Sequence, residues 1–394
     1  MGYIRDSIHG DLHLNDFELE ILDTVEMQRL RRIKQLGFTN LIYPGANHTR
    51  FEHSIGTLFL ADKLAKRLGF DSEIQQLLRI CGLLHDIGHA PFSHVTERAL
   101  KHKHETVTKQ IIKNSSITDK LSQKFDPKLV MNIVDGKTSY GKIISGDLDV
   151  DRMDYLKRDS YYTGVAYGVI DTERLIYSLT YDNNELLLSS KGVQAAESTL
   201  LARYFMYPTV YQHHTTRIVN GMFRVAIKSM LNDNVIKEDE LRYLDDGELI
   251  NITRNTKGIA QQTIQNIDTR HLYKKTDTIP LTEITNPEKV VNIDEKYLRE
   301  AEVEIAEKLD INPECVILDV PEELSFKKMN TKVQTHNGLK PLNKVSPIIE
   351  SLKKAQYKYA DIALFMSKQN KQKAEERNIK IEDYLTLPTW YYEI

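Results

Sequence analysis

The stretch CGLLHDIGHAPFSH, residues 81–94, closes the apolar run IQQLLRICGLL with three histidines and an aspartate. No other feature constrains the fold as strongly. The apolar run has the spacing of a core helix, so the His–Asp pair at its end sits at or near a buried surface. Burying an imidazole and a carboxylate without partners is costly. The fold must therefore bring other polar groups to residues 85 and 86, and a bound metal ion satisfies both at once.

An ion such as Fe²⁺, Mn²⁺, Ni²⁺ or Zn²⁺ takes imidazole and carboxylate ligands from several elements and keeps one position open. The candidates are His53 in RFEHS, His85 with Asp86, and an aspartate in GDLDVDRMD, where the residues alone leave Asp149 and Asp151 open. His89 follows His85 by four residues and shares its face if the helix continues. Pro91 soon stops that helix, so His94 enters from another direction. His104, adjoining Glu105, supplies one more imidazole. Imidazoles beside a phosphate suit proton transfer and charge neutralisation. His102, in KHKHE, reads as solvated surface, and Arg50 reaches the His53 site if that segment is helical.

The rest of the chain reads as mostly helical. Residues 17–36 carry apolar groups at helical spacing up to Gly37 as a C-cap, HSIGTLFLADKLAKRLG is a second helix closed by Gly, and Ser72 N-caps a third. The acidic segment GDLDVDRMD leads into a helix. Two apolar runs around Asp182-Asn183-Asn184 predict a β-hairpin. A long helical stretch follows, broken at Pro208. Beyond residue 232 the sequence is more charged and broken, with strands in ECVILDVPEEL and YADIALFMS and a charged helix in KAEERNIKIEDYL. The expected fold is mostly α: a helical core over residues 1–232 with a short β-hairpin, and a smaller α/β lobe over 233–394. At 394 residues the chain exceeds one ordinary core.

Bulk properties narrow the function classes. A net charge of −3 argues against a nucleic-acid surface. Two cysteines without CxxC spacing suit a reducing compartment. No apolar leader or membrane-length run is visible, so a cytoplasmic protein is expected.

The ordered set RFEHS, LLHDIGHAPFSH, KHE and DVDRMDYLKRD resembles the HD-domain deoxynucleoside triphosphate triphosphohydrolases. DSIHG, LDTVEMQRLRRIKQLG, YPGANHTRFEHS and YPTVYQHH extend the resemblance over residues 4–225, and no SAM domain is expected ahead of the HD core. The resemblance implies an HD-domain helical core and cleavage at the α-phosphate, giving deoxynucleoside and intact triphosphate. It implies His53, His85, Asp86 and Asp151 as ligands of one transition metal, with Mg²⁺ on the substrate phosphates. It implies His94 as general acid and His89, His104 and Glu105 as the rest of the acid/base network. Arg50, Arg152 and Arg203 match phosphate contacts. Gln35, with Leu36 beside it, and Tyr211 match the sugar-selecting positions, and Tyr155 and Asp159 the remaining ribose and phosphate contacts.

By the same resemblance, Asp23, Gln28 and Arg31 match the guanine-reading residues of a regulatory pocket for GTP or dGTP, in a homodimer or homotetramer. Here the chain departs from the pattern. The N-terminal lysine for activator phosphates is absent from MGYIRD, and Ser189 and Ala195 replace polar or basic partners near Lys191. The competing readings are an HD phosphohydrolase acting on an NTP, a monophosphate or (p)ppGpp, and a nucleotide sensor without turnover. The first is discriminated by its products. The second conflicts with the full set of metal and acid/base positions.

Overall fold

The computed structural model describes residues 2–100, 103–321 and 331–385. They form two compact units, each discontinuous in sequence: Met1–Met206 with Lys237–Leu249 and Lys327–Lys353, and Tyr207–Ile236 with Ile250–Phe326 and Lys354–Ile394. Each unit therefore takes segments from both sides of residue 232.

The first unit opens on an antiparallel hairpin, β1 (Gly2–Asp6) and β2 (Gly10–Leu14), that the sequence pattern did not suggest. The expected single helix over residues 17–36 is instead two, Asp16–Leu22 and Val25–Arg29. Thr24 divides them: its hydroxyl donates to Ile21 O at 2.7 Å and accepts from Met27 N, so it restarts the helix as an N-cap. Gly37, with φ +50°, begins a short 3₁₀ turn rather than capping a helix.

Helix α1 (Arg50–Arg67) starts from a capping box in which Thr49 and Glu52 exchange backbone and side-chain bonds. Helix α2 (Ser72–Leu84) packs along it, burying Leu77, Leu78, Ile80, Cys81, Leu83 and Leu84 with Ile55, Leu58, Ala61 and Leu64 of α1 in the core of this unit. Its N-cap is Asp71, which accepts from Ile74 N at 2.9 Å, and Ser72 is the first helical residue. Short helix α3 (His94–Glu97) and helix α4 (His104–Asn114) follow, and α5 (Val150–Thr163) packs on α1. The expected hairpin forms as Leu179–Asp182 and Glu185–Ser189, with Asn183 and Asn184 at φ +48° and +59° in the turn. Lys332–Thr335 adds to it in parallel and Gly338–Pro341 extends it to four strands.

In the second unit, Asp361–Met366 is the central strand of an antiparallel sheet between Lys274–Pro280 and Ile317–Asp319. Helix Glu295–Leu309 buries Ala301, Ile305, Ala306 and Leu309 in one core with Leu318, Ile362 and Leu364. The charged C-terminal helix appears as two, Lys368–Glu376 and Ile381–Tyr384. Among the described residues no helix is long and apolar enough to cross a membrane.

Candidate active site

Four side chains from three helices of the first unit converge. His53 lies in the first turn of α1, His85 and Asp86 follow the last residue of α2, and Asp151 lies in the first turn of α5. Asp151 Oδ1 is 3.0 Å from His53 Nε2 and 3.6 Å from His85 Nε2, while Asp86 oxygens are 3.7 Å and 3.5 Å from the same two nitrogens. Both imidazoles are oriented from behind: His53 Nδ1 faces Asp154 Oδ2 at 2.8 Å, and His85 Nδ1 donates to Gly82 O at 2.8 Å.

These bonds put the lone pairs on the two Nε2 atoms, which are buried and have no hydrogen-bond partner of acceptable geometry. Two such nitrogens facing two carboxylates form a donor set suited to one divalent cation. The two carboxylates also draw positive charge to this spot: burial opposes a charge on His53, but Asp151 and Asp154 outweigh it and push its pKa up to about 10, so an ion binding at Nε2 takes the place of a proton there. The cluster His53, His85 and Asp86 can hold a divalent ion, and Asp151 Oδ1 faces both of its imidazoles. Asp149 is not in this set. It N-caps α5, accepting from Arg152 N at 2.7 Å, Gly146 N at 2.6 Å and Arg152 Nη1 at 2.7 Å.

Helix α2 does not continue to His89. It ends at Leu84, and residues 86–89 turn, with His89 N bonded to Asp86 O at 3.2 Å. Gly88 permits the turn to lie against α4: a Cβ there would collide with Thr108 N, and Thr108 Oγ1 accepts from Gly88 N at 3.0 Å. The result stacks His89 on His104 at 3.9 Å between ring centroids, with His94 edge-on to both. His89 Nε2 is 3.5 Å from Asp86 Oδ1. Burial and the charges of Arg50 and His104 hold His89 well below its ordinary pKa, so it is neutral.

Glu97, which the sequence reading did not single out, joins this group. Its Oε2 is 3.0 Å from His104 Nδ1 and 3.3 Å from His94 Nδ1. Burial alone would raise its pKa, but hydrogen bonds from His104 and His94 prevail and hold it below the usual carboxylate range. The signal available in the sequence was its spacing of three residues from His94, one helical turn. Glu105 lies farther from the imidazole, 3.6 Å from His104 Nδ1, and its side chain is 55 % exposed. His102 lies outside the described residues.

The loop carrying His89 is clamped from a distant segment. Arg29 Nη2 donates to Ile87 O at 3.1 Å and His89 O at 2.8 Å, and its Nη1 reaches Leu244 O at 3.0 Å. Asp246 accepts from Phe92 N at 2.8 Å and Lys34 N at 2.9 Å. Between these anchors Phe92 and Ser93 take φ +55° and +47°, a left-handed conformation that side chains disfavour and that persists only where the surroundings fix it.

The remaining candidates are placed as follows. Arg50 binds Asp86 Oδ2 through Nη1 and Ser93 Oγ through Nε, so it reaches the His–Asp cluster. Residues 33–35 pair with 48–50 through an isolated bridge at Lys34 and Thr49, which brings Gln35 beside His48, with Leu36 next to it. Gln35 Oε1 is buried without a hydrogen-bond partner. Arg152 pairs with Asp149 on α5. Tyr155 is near Arg203 and Arg152, whose charges partly offset the rise in its pKa caused by burial. Asp159 is buried and bonds His48 Nε2 at 2.7 Å. Tyr211 belongs to the second unit, in the π-helical segment Tyr207–Tyr211. Asp23 caps the helix Asp16–Leu22, Gln28 lies on the next helix, and Arg31 Nε donates to Gln28 Oε1 at 2.9 Å. They share a surface without sharing one helix, and partial burial lowers the pKa of Arg31, an effect that Asp23 offsets only in part.

Known proteins match on this frame. The HD domain family matches residues 50–159, which hold all four cluster residues, and the HD associated region matches residues 170–391. The uncharacterized protein MJ1154 of Methanocaldococcus jannaschii is 38% identical over 386 residues, 96% of this chain and 82% of that protein. A protein of Dictyostelium discoideum named deoxynucleoside triphosphate triphosphohydrolase SAMHD1 homolog is 31% identical over 70% of this chain, which spans 60% of that protein. The crystal structure of a hypothetical protein from Aquifex aeolicus superposes with a TM-score of 0.78 at 29% identity, covering 96% of this chain and all of that one. The chain belongs to the HD-domain phosphohydrolases that carry an HD-associated region.

Proposed function

We propose that the protein is a metal-dependent hydrolase that cleaves deoxynucleoside triphosphates at the α-phosphate, releasing deoxynucleoside and inorganic triphosphate. The observation that carries this reading is the position of the imidazole–carboxylate group His89, His94, Glu97 and His104 directly against a four-donor cluster, joined to it through Asp86. The name of the Dictyostelium relative supports the substrate class.

His53, His85, Asp86 and Asp151 would hold the ion, an Fe, Mn, Ni or Zn divalent. When bound, it supplies Lewis-acid polarisation of the phosphate. Arg50 screens the phosphate charge next to it, and Arg152 and Arg203 take the outer phosphates, which carry Mg²⁺. A water oxygen bonds to the α-phosphorus as its proton passes to neutral His89, and the bond from phosphorus to the 5′ oxygen breaks. His94 gives that oxygen its proton, and Glu97 fixes the ring through Nδ1. His104 and Glu105 complete the proton relay, with neutral His89 against the α-phosphate. Gln35 Oε1 accepts from the 3′-hydroxyl, Leu36 flanks the sugar, and Tyr155 and Asp159 complete the deoxyribose contacts. Asp23, Gln28 and Arg31 form a guanine-reading site for a GTP or dGTP activator at a contact between subunits of an even-numbered homo-oligomer, in the cytoplasm.

Product analysis over the eight common triphosphates, with and without GTP, tests the reading. Deoxynucleoside plus triphosphate is expected, and orthophosphate as the only phosphate product contradicts it.

A further inference from the structure

A histidine offers a lone pair at Nε2 only while its proton sits on Nδ1, and the acceptor of that proton decides which tautomer is held. For His53 the acceptor is Asp154, which is fully buried. All four lone-pair positions of this carboxylate are used. Oδ1 accepts from His9 Nε2 at 2.7 Å and Arg158 Nη2 at 2.9 Å, and Oδ2 accepts from His53 Nδ1 at 2.8 Å and Arg158 Nε at 2.8 Å. An ionised carboxylate only accepts, so each ring nitrogen facing it carries a hydrogen.

His9 arrives from the turn between β1 and β2, in the segment DSIHG. Asp6 shapes that turn: its Oδ2 accepts from Ile8 N at 3.1 Å and His9 N at 2.8 Å. The same carboxylate accepts from Arg158 Nη1 at 2.7 Å and Nη2 at 3.2 Å, so one buried guanidinium joins the hairpin to α5. The His9 side chain is 4 % exposed, and its ring lies 5.0 Å from that of Phe59. Gly56, three residues after His53 on α1, makes room for the network. A Cβ at that position would collide with Asp154 Oδ1 and Arg158 Nη2 and lie 2.7 Å from Asp154 Cγ.

We propose that His9 and Asp154 are positioning residues of the metal centre: the relay His9–Asp154–His53 holds His53 in its ion-binding tautomer, so the N-terminal hairpin sets metal affinity. This rests on the reading of His53, His85, Asp86 and Asp151 as metal ligands. Removing His9 takes one of the two donors from Oδ1 and leaves the Arg158 fork alone to orient the Asp154 carboxylate toward His53 Nδ1. A purely structural hairpin would instead change the unfolding temperature and leave the affinity of the folded protein unchanged.

The test challenges full-length, metal-loaded protein with a chromogenic chelator and reads metal release and the apparent Kd for Zn²⁺. Near-UV circular dichroism confirms the native fold of each variant. His9→Ala is expected to weaken binding about 10–100-fold, as for other outer partners of metal-ligating histidines. His9→Gln, which restores an N–H donor, is expected to recover most of that loss. Asp154→Asn is expected to weaken binding further, and if it fails to fold the His9 pair still decides. Wild-type affinity in His9→Ala, or equal weakness in His9→Ala and His9→Gln, overturns the relay. Retention of metal by His85→Ala overturns the metal centre itself, and the relay with it.

Discussion

Asp149 and Asp151 differ by two positions in sequence and have opposite duties. Asp149 spends its oxygens on the start of α5, whereas Asp151 turns its carboxylate to His53 and His85. The residues alone could not separate them, because both precede a helix and either could point inward. The meeting of His85 and Asp86 with a partner cluster was legible because few other fates suit a His–Asp pair at the end of an apolar helix. Glu97 was not legible, since its role depends on the left-handed residues Phe92 and Ser93 that start α3 toward His104. Two predictions belong at this scale. Replacing His85 or Asp86 by Ala should abolish both metal retention and turnover, read by elemental analysis and product formation. His94→Ala and Glu97→Gln should keep the metal while kcat falls, about 10²–10⁴-fold for His94, the size of a lost general acid.

Helix boundaries show where pattern reading stops. Apolar periodicity located α1 and α2 but merged the two helices on either side of Thr24 and assigned the cap of α2 to Ser72, one residue late. Periodicity reports the buried face, and caps are decided by which side chain reaches the first free N–H groups. The hairpin around residues 183–184 was legible from its two asparagines. β1 and β2 were missed because their alternation lies among charged residues, and DSIHG was noted only as part of a resemblance. The clamp by Asp246 could not be read either, since it joins residues more than 150 positions apart. Burial raises its pKa to about 6, against backbone N–H bonds that lower it. A carboxyl with a raised folded pKa binds its proton more tightly when folded, so its contribution to stability grows as pH falls through 6 toward the unfolded value and is lost as pH rises. Asp246→Asn removes that titration. It is expected to lower Tm relative to wild type by more at pH 5 than at pH 7, and to reduce kcat without changing metal content. An equal Tm gap at both pH values would contradict this assignment.

At the scale of the molecule, sequence order and compact units do not coincide. Residues 332–341 complete the sheet begun at residues 179–189, and residues 237–249 return to brace the loop around His89. A division after residue 232 followed a change in composition, which cannot reveal a strand paired across more than 140 residues. Metal binding should stabilise the first unit by linkage, about 2.7 kcal/mol at a free ion concentration 100 times Kd. Chelation is therefore expected to lower the Tm and re-addition of the ion to restore it, measured by scanning calorimetry. The most direct measurement is anomalous diffraction from crystals of active protein. One strong peak is expected about 2.0–2.3 Å from His53 Nε2, His85 Nε2 and the carboxylates of Asp86 and Asp151. Active protein with no peak at that position would contradict the account.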